Sequence, residues 1–233
     1  MKIRDFSGLR KKTTIRLVKK QAFEDNQYVF EFDTGDATWL PGQHGIFSIP
    51  NKHVEGKKWR AFSVASTPEE GVIRIATKII DQPSSFKERL RNLQEGEEVS
   101  VRGPFGWFYR QDNTTPMVMV AMGVGITPIL SIVNQHASDL AEAPLHVIYA
   151  APVEHLLKDM LDEAAKKSMA ITVSYVSGAE EAEELLDKDL ATYRDNAYYY
   201  ISGAPAPVAS VKNHIKGAGI SGSKIIADAY MGY

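Results

Sequence analysis

The hydrophobic pattern of this chain changes at residues 110–115, and the change limits the folds that its 233 residues can adopt. Before it, short alternating segments are separated by turn residues, and one helical insert is expected at residues 85–93. Strands are predicted at residues 12–19, 27–33, 45–49, 59–65, 72–77 and 98–102. Six strands within about 100 residues indicate a small antiparallel β-barrel.

The second half of the chain alternates strands with helices. Residues 116–121 form a continuous apolar run, typical of a strand buried on both faces, and a helix is expected at residues 128–137. Further strands are predicted at residues 145–150, 171–176 and 197–202, and further helices at residues 154–167, 180–190 and 207–217. This alternation indicates a parallel sheet with right-handed crossovers. We therefore expect two domains, residues 1–112 and 113–233.

Composition excludes several classes of function. The 27 basic and 29 acidic residues nearly balance, and no long basic block is present, so nucleic acid is not an expected partner. The absence of cysteine excludes a disulfide, a cysteine-ligated iron–sulfur cluster and a thiolate nucleophile within these residues. The six histidines lack metal-ligand spacing, so no metal site is expected.

Neither a signal peptide nor a transmembrane segment is expected. Residues 1–12 are charged and lack an apolar core segment. The uncharged run at residues 117–133 is interrupted by glycine, threonine and proline, and it is shorter than the roughly 20 apolar residues that a span needs. A cytoplasmic protein is the expectation.

The segment RAFSVAS, residues 60–66, carries three groups that suit a nucleotide cofactor. Arg60 can bind a pyrophosphate in a bidentate manner, Phe62 can lie along a flat ring, and Ser63 can form a hydrogen bond with a heteroatom that accepts hydride. Strand alternation would place Arg60 and Phe62 on one face and Ser63 on the other. Taken by itself, the segment is better explained by a surface arginine beside a half-buried phenylalanine, because short matches are common by chance.

Three other segments have turns or helix starts that could approach a ligand. In DQPSSFKERL, residues 81–90, serines open a helix whose first N–H groups suit a pyrophosphate, although plain N-capping explains the same serines. MGVGITP, residues 122–128, follows a strand, and its glycines allow the backbone to approach a ligand closely. A tight strand-to-helix turn without a ligand explains the same residues. SGAP, residues 202–205, follows the last predicted strand and could be a simple loop.

In this order and at these separations, together with GPFG at residues 103–106 and DAYMGY at residues 228–233, the segments resemble the ferredoxin-NADP+ reductase superfamily. Members of that family pass electrons between a nicotinamide and a bound flavin. The resemblance extends from about residue 13 to residue 233. It implies an antiparallel β-barrel flavin domain followed by an α/β parallel-sheet nicotinamide-binding domain, with FAD and either NADH or NADPH as cofactors.

The resemblance also assigns roles to residues. Catalytic roles fall on Ser63, Ser202 and Asp228. The implied cofactor contacts are Arg60, Ala61, Phe62, Ser63, Ser66, Thr77, Ser84, Ser85, Phe86, Gly123, Gly125, Thr127, Pro128, Gly203, Pro205, Tyr230 and Tyr233. Three positions depart from the usual family pattern, since Phe62 replaces a tyrosine, Met122 a glycine and Ser202 a cysteine. Ring packing survives the first change, but the tyrosine hydroxyl is lost.

The family implies a reductase whose acceptor is a ferredoxin, flavodoxin, cytochrome or oxygenase. Reduction of free flavin or another small acceptor, and a flavin-containing docking subunit of a larger redox complex, remain as alternatives. NADH is favoured over NADPH because the loop at Ser177 and Gly178 has no arginine and is followed by glutamates, which would meet a 2'-phosphate with like charge. These glutamates are Glu180, Glu181, Glu183 and Glu184.

Overall fold

The computed structural model describes residues 3–50 and 52–230. Two compact units are present, the first ending at Tyr109 and the second beginning at Arg110. Tyr233, an expected cofactor contact, lies outside the described residues. Within the described ranges, no helix has the length and apolar character needed to cross a membrane.

The first unit is a curled six-stranded antiparallel sheet with strand order β4-β3-β6-β1-β2-β5. Its strands are β1 Lys12–Phe23, β2 Gln27–Phe32, β3 His44–Ser48, β4 Trp59–Ser63, β5 Ile73–Lys78 and β6 Glu98–Phe105, and helix α1 spans Ser85–Arg91. Alternate residues of β1, including Ile15 and Leu17, turn inward and pack with aromatic side chains from β2 and β3. This core supports β4, which carries Arg60 on its inner face.

The predicted strand at residues 59–65 was too long, because β4 ends at Ser63. Beyond it, the Val64 amide bonds the Gln43 carbonyl and the Ala65 amide bonds the Arg74 carbonyl, so the chain leaves the β3 ladder. The expected alternation therefore does not hold at the end of β4. Ser63 is buried, as Arg60 and Phe62 are, and Ala61 between them is exposed.

The second unit is a five-stranded parallel sheet with strand order β11-β10-β7-β8-β9. The strands are β7 Met117–Met122, β8 Leu145–Ala150, β9 Ile171–Val176, β10 Tyr198–Gly203 and β11 Ile225–Ala229. The helices are α2 Ile126–Ser138, α3 Lys158–Lys166, α4 Ala179–Tyr193 and α5 Pro205–Gly217. The two sheets confirm the predicted fold class.

The strand order creates a switch point between β7 and β10. After β7 the chain proceeds outward through β8 and β9, and it then returns to add β10 and β11 on the other side of β7. Open α/β sheets bind ligands beyond the carboxyl ends of their strands at such a point. The segments at residues 122–128 and 202–205 follow β7 and overlap the end of β10, so both lie at this edge.

Candidate cofactor sites

Arg60 is a buried cation on β4. Its side chain is 7% exposed, and Nη1 donates to the carbonyl oxygens of Lys57 and Trp59, each at 2.8 Å. Burial lowers the pKa of Arg60 from its ordinary value. Within the described part of the chain no carboxylate pairs with this guanidinium, and these two bonds use Nη1 alone, so the remaining N–H groups can donate to the oxygens of an anion such as a phosphate.

Lys87 adds a second cation to this region. Its Nζ donates to the Lys78 carbonyl at 2.8 Å, and burial first, then the charge of Arg60, lowers the pKa of Lys87. Two partly desolvated like charges raise each other's electrostatic energy, and a diphosphate between them would offset that cost. The residues therefore fit the diphosphate of FAD. The sequence interpretation missed Lys87, since a lysine in a short amphipathic helix resembles a solvated one.

The serines that begin α1 contact the barrel's own backbone. Ser84 is the N-cap, and its Oγ accepts from the Lys87 amide at 3.4 Å. The Ser85 Oγ accepts from the Glu55 amide at 3.1 Å. The capping alternative is thus observed for Ser84, while contact of either serine with a cofactor stays a prediction.

Ser66 and Thr77 are also buried in the barrel. Ser66 Oγ donates to the Val72 carbonyl at 2.6 Å and accepts from the Arg74 amide at 3.0 Å, which fixes the chain between β4 and β5. Thr77 makes a long 3.4 Å bond to the Lys78 carbonyl. Since Ser66 already uses its only proton, any cofactor contact of its hydroxyl would have to be as an acceptor.

Phe62 lies in the barrel core. Its ring centroid is 5.5 Å from that of Phe47 and 6.2 Å from that of Phe86, and only 8% of the residue is exposed. Phe86 is fully buried, and its ring also lies 5.5 Å from the Arg60 guanidinium carbon. Aromatic packing therefore positions the arginine, and a contact of either ring with a flavin stays a prediction.

In the second unit, glycines let the turns after β7 and β10 touch. A Cβ added at Gly125 would lie 2.1 Å from the Ser202 carbonyl oxygen, far closer than any side chain tolerates. A Cβ added at Gly203 would lie 2.9 Å from the Met122 Cβ. The glycines at these positions are thus required by the fold at the switch point, whatever ligand binds there.

A cluster of three hydroxyls joins the same two turns. Tyr230 Oη donates to the Val124 carbonyl at 2.6 Å, and Thr127 Oγ1 donates to the same oxygen at 3.0 Å. Ser202 Oγ, fully buried, donates to Tyr230 Oη at 3.4 Å. Burial raises the pKa of the Tyr230 phenol above its ordinary value. Two of these predicted site residues, Thr127 and Tyr230, therefore share one carbonyl oxygen, and the third, Ser202, reaches it through the Tyr230 hydroxyl.

The remaining predicted residues lie around this cluster. Asp228 pairs with Ser202 in the parallel register of β10 and β11. Gly123 begins the short turn after β7, Pro128 is buried in the first turn of α2, and Pro205 is the first residue of α5. The structure thus places every described residue predicted for this domain at the carboxyl edge of its sheet.

A cavity of about 270 Å³ opens at the same edge, at the carboxyl ends of β7, β8 and β9. Helices α4 and α5 form its wall, which is mainly apolar. Its lining includes Met122, Ala182, Leu186, Val211, Glu183 and His214. A flat heterocycle fits such a space. The sequence interpretation did not include Leu186, Val211 or His214, because their approach depends on how two helices pack.

The turn between β9 and α4 also borders the cavity. Ser177 and Gly178 both line it, and Gly178 has extended backbone with φ −149°. Glu181 is committed to the turn itself, since its carboxylate accepts from the Ser177 amide at 3.1 Å and from the Ser177 hydroxyl at 2.9 Å.

Comparisons with known proteins agree with this arrangement. Residues 14–109 match the model of an oxidoreductase FAD-binding domain, and residues 119–212 match that of an oxidoreductase NAD-binding domain. The toluate 1,2-dioxygenase electron transfer component of Pseudomonas putida is 30% identical over 124 residues, covering 52% of this chain and 35% of that protein. The ferredoxin–NAD(P)+ reductase component of the naphthalene 1,2-dioxygenase system of Pseudomonas putida is 27% identical over 205 residues. That match covers 82% of this chain and 60% of the relative, so the chain spans only part of the length of both relatives.

Solved structures share the fold. The ferredoxin-NADP+ reductase from Plasmodium falciparum with 2'P-AMP has a TM-score of 0.79 at 17% identity, covering 95% of this chain and 97% of that one. The ferredoxin reductase in carbazole 1,9a-dioxygenase has a TM-score of 0.78 at 20% identity, covering 95% and 68%. With an FAD-binding domain followed by an NAD-binding domain in this fold, the chain belongs to the ferredoxin-NADP+ reductase superfamily of oxidoreductases.

Proposed function

We propose that this chain is an NADH-dependent flavoprotein reductase that transfers hydride from the nicotinamide to bound FAD and then passes electrons to an acceptor. The observation that supports the proposal is that each unit groups residues whose chemistry suits one of the two cofactors. The barrel presents the Arg60 and Lys87 cations, and the parallel sheet presents the hydroxyl cluster and the cavity at its switch point. We keep the cytoplasmic location expected from the sequence as part of this proposal.

The residues divide the work as follows. Bound FAD supplies a hydride acceptor that can release electrons singly or in pairs. Arg60 and Lys87 hold the diphosphate, and Ser63, near the end of β4, offers a hydroxyl for the flavin nitrogen that reacts. In the second unit, the apolar cavity takes the adenine, and the close turns at Gly125 and Ser202 hold the rest of the dinucleotide.

The acceptor is a separate redox partner protein in this proposal. These 233 residues contain no cysteine, so an iron–sulfur centre would have to come from outside them. Both Pseudomonas putida relatives are named as components of dioxygenase systems, which supports a protein partner of the ferredoxin, flavodoxin, cytochrome or oxygenase type.

Anaerobic reduction of the purified protein tests the proposal. We expect a yellow protein with one FAD, bleached by NADH much faster than by NADPH, followed by reoxidation on addition of a protein acceptor. A bound flavin that NADH cannot reduce would instead support a docking subunit. Rapid turnover with free flavin, and none with protein acceptors, would support reduction of a small acceptor.

The choice of dinucleotide is tested at Gly178. No atom lies within 4 Å of a Cβ added there, so Gly178→Arg should fit without strain. The new cation should lower the ratio of kcat/KM for NADH to that for NADPH, on the order of 10-fold. Gly222→Arg is a matched control, since it is equally open and does not line the cavity. An unchanged ratio in Gly178→Arg would show that the adenosine ribose lies elsewhere.

A further inference from the structure

His214 of α5 bridges two carboxylates of α4. Its Nδ1 lies 2.8 Å from Glu183 Oε1, and its Nε2 lies 2.6 Å from Asp187 Oδ1. Glu183 and Asp187 are four residues apart, which places them on the same face of the helix. The imidazole therefore links α4 to α5 and contacts both carboxylates.

Only one of the two carboxylates belongs to the cavity. Glu183 and His214 line it, whereas Asp187 does not. The Glu183 side chain is 55% exposed, so its carboxylate lies at the mouth and not in the apolar interior. If an adenine occupies the cavity, the attached ribose lies at its mouth. The negative charge of Glu183 would then be next to that ribose.

The neighbouring glutamates do not share this position. Glu181 is bonded to the amide and hydroxyl of Ser177. Glu180 and Glu184 are not among the residues that line the cavity. Among the four glutamates that follow the loop, Glu183 is thus the one that lines the cavity.

We propose that Glu183 determines dinucleotide specificity and that His214 is the positioning residue that holds its carboxylate at the cavity mouth. This inference rests on the proposed function. A carboxylate there can accept a hydrogen bond from the 2'-hydroxyl of NADH, whereas the 2'-phosphate of NADPH meets it as like charge. The site is partly exposed, so the discrimination is moderate and weakens as salt screens the charges.

Binding of NAD+ and NADP+ to the purified flavoprotein, measured by calorimetry, tests the inference without turnover. We expect Glu183→Gln to raise the affinity for NADP+ relative to NAD+ by about 10-fold at low salt, and by less at high salt. Asp187→Asn is the matched control, because it removes the other carboxylate that contacts His214, and Asp187 does not line the cavity. This control should leave the ratio within about 2-fold of wild type, since only the cavity carboxylate is involved.

His214→Leu tests positioning. This substitution should raise the affinity for NADP+ relative to NAD+, as Glu183→Gln does. It should have no further effect on that ratio when Glu183→Gln is already present. An unchanged ratio in Glu183→Gln, or an equal change in Asp187→Asn, would overturn the role of Glu183. Additive effects of His214→Leu and Glu183→Gln would overturn the positioning role. Failure of the wild type to bind NAD+ would contradict the proposed function itself.

Discussion

At the residue scale, Arg60 carries the clearest expectation. Arg60→Ala should weaken FAD binding about 10- to 100-fold while the barrel stays folded, because it removes charge-assisted bonds to a ligand and leaves the core intact. Lys87→Met should weaken FAD binding in the same direction. The flavin absorbance per protein after gel filtration, and titration of the apoprotein by fluorescence, measure the effect.

Arg89→Ala is the matched control, since Arg89 is exposed and its Nε bonds the His53 carbonyl at 3.1 Å. It should retain its flavin. Full flavin content in Arg60→Ala would remove Arg60 from the diphosphate site.

The second prediction at the residue scale concerns His136 and the pH dependence of the free energy of unfolding. It is fully buried in α2, and neither ring nitrogen has a hydrogen-bond partner among the described residues. Burial first, then the charge of Arg110, lowers the pKa of His136 below its ordinary 6.5. As pH falls, His136 therefore takes up a proton in the unfolded chain before it does so in the folded protein. The free energy of unfolding is unaffected by this group above about pH 6.5 and decreases as pH falls below that value.

Urea unfolding between about pH 7.5 and 5.5 measures this loss, which approaches about 1.4 kcal/mol of unfolding free energy per pH unit for a single proton. His136→Leu should lack this component. His53→Gln, at an exposed histidine, should keep it. Equal pH dependence in wild type and His136→Leu would contradict the assignment.

The sequence predicted residue types at the site better than it predicted their partners. Thr127, Ser202 and Tyr230 could be singled out from three motifs, but the bonds of the Tyr230 hydroxyl to the Val124 carbonyl and to Ser202, which join them, are tertiary contacts. The same holds for the bridge that His214 makes between two helices. Periodicity and motif spacing describe the chain locally, and contacts across elements depend on packing that they do not encode.

At the element scale, interiors of strands and helices were predictable and their ends less so. The α3 helix begins at Lys158, later than predicted, because Leu157 before it adopts a left-handed backbone with φ 62°. Strand β11 was not predicted at all, since its Ile225–Ala229 segment is short and is fixed by parallel pairing with β10. Both outcomes reflect tertiary contacts that override local propensity.

The turn after β7 gives the element-scale expectation. Gly125→Ala should destabilise the second unit by about 1–3 kcal/mol and weaken NAD+ binding, because the new methyl would collide with the Ser202 carbonyl and separate the two turns. Thermal unfolding and NAD+ calorimetry measure the two effects.

Gly217→Ala, at the end of α5, is the same chemical change in open space. It should be neutral or slightly stabilising, by up to about 1 kcal/mol. Wild-type stability and NAD+ affinity in Gly125→Ala would show that the close approach of the turns is not required.

At the scale of the whole molecule, the change of hydrophobic period near residue 110 was enough to predict an antiparallel sheet followed by a parallel one. Each sheet type has its own sequence pattern, alternating when one face is solvated and continuous when both are buried. No local sequence pattern predicts that β10 lies beside β7. It is this strand order that places the two glycine turns together at the proposed dinucleotide site.

Hydride transfer to the flavin is the central step of the proposed function, and a substitution at Ser63 tests it. Ser63 is 6% exposed at the end of β4, and Ser63→Ala should keep its FAD while reduction by NADH slows on the order of 10- to 1000-fold, because a polar contact at the reacting nitrogen is lost. Reduction by dithionite, which does not use the nicotinamide site, should be unchanged. Ser48→Ala, which removes a half-buried hydroxyl from β3, should reduce at the wild-type rate. Stopped-flow bleaching at saturating NADH makes the comparison, and a wild-type rate in Ser63→Ala would exclude Ser63 from hydride transfer.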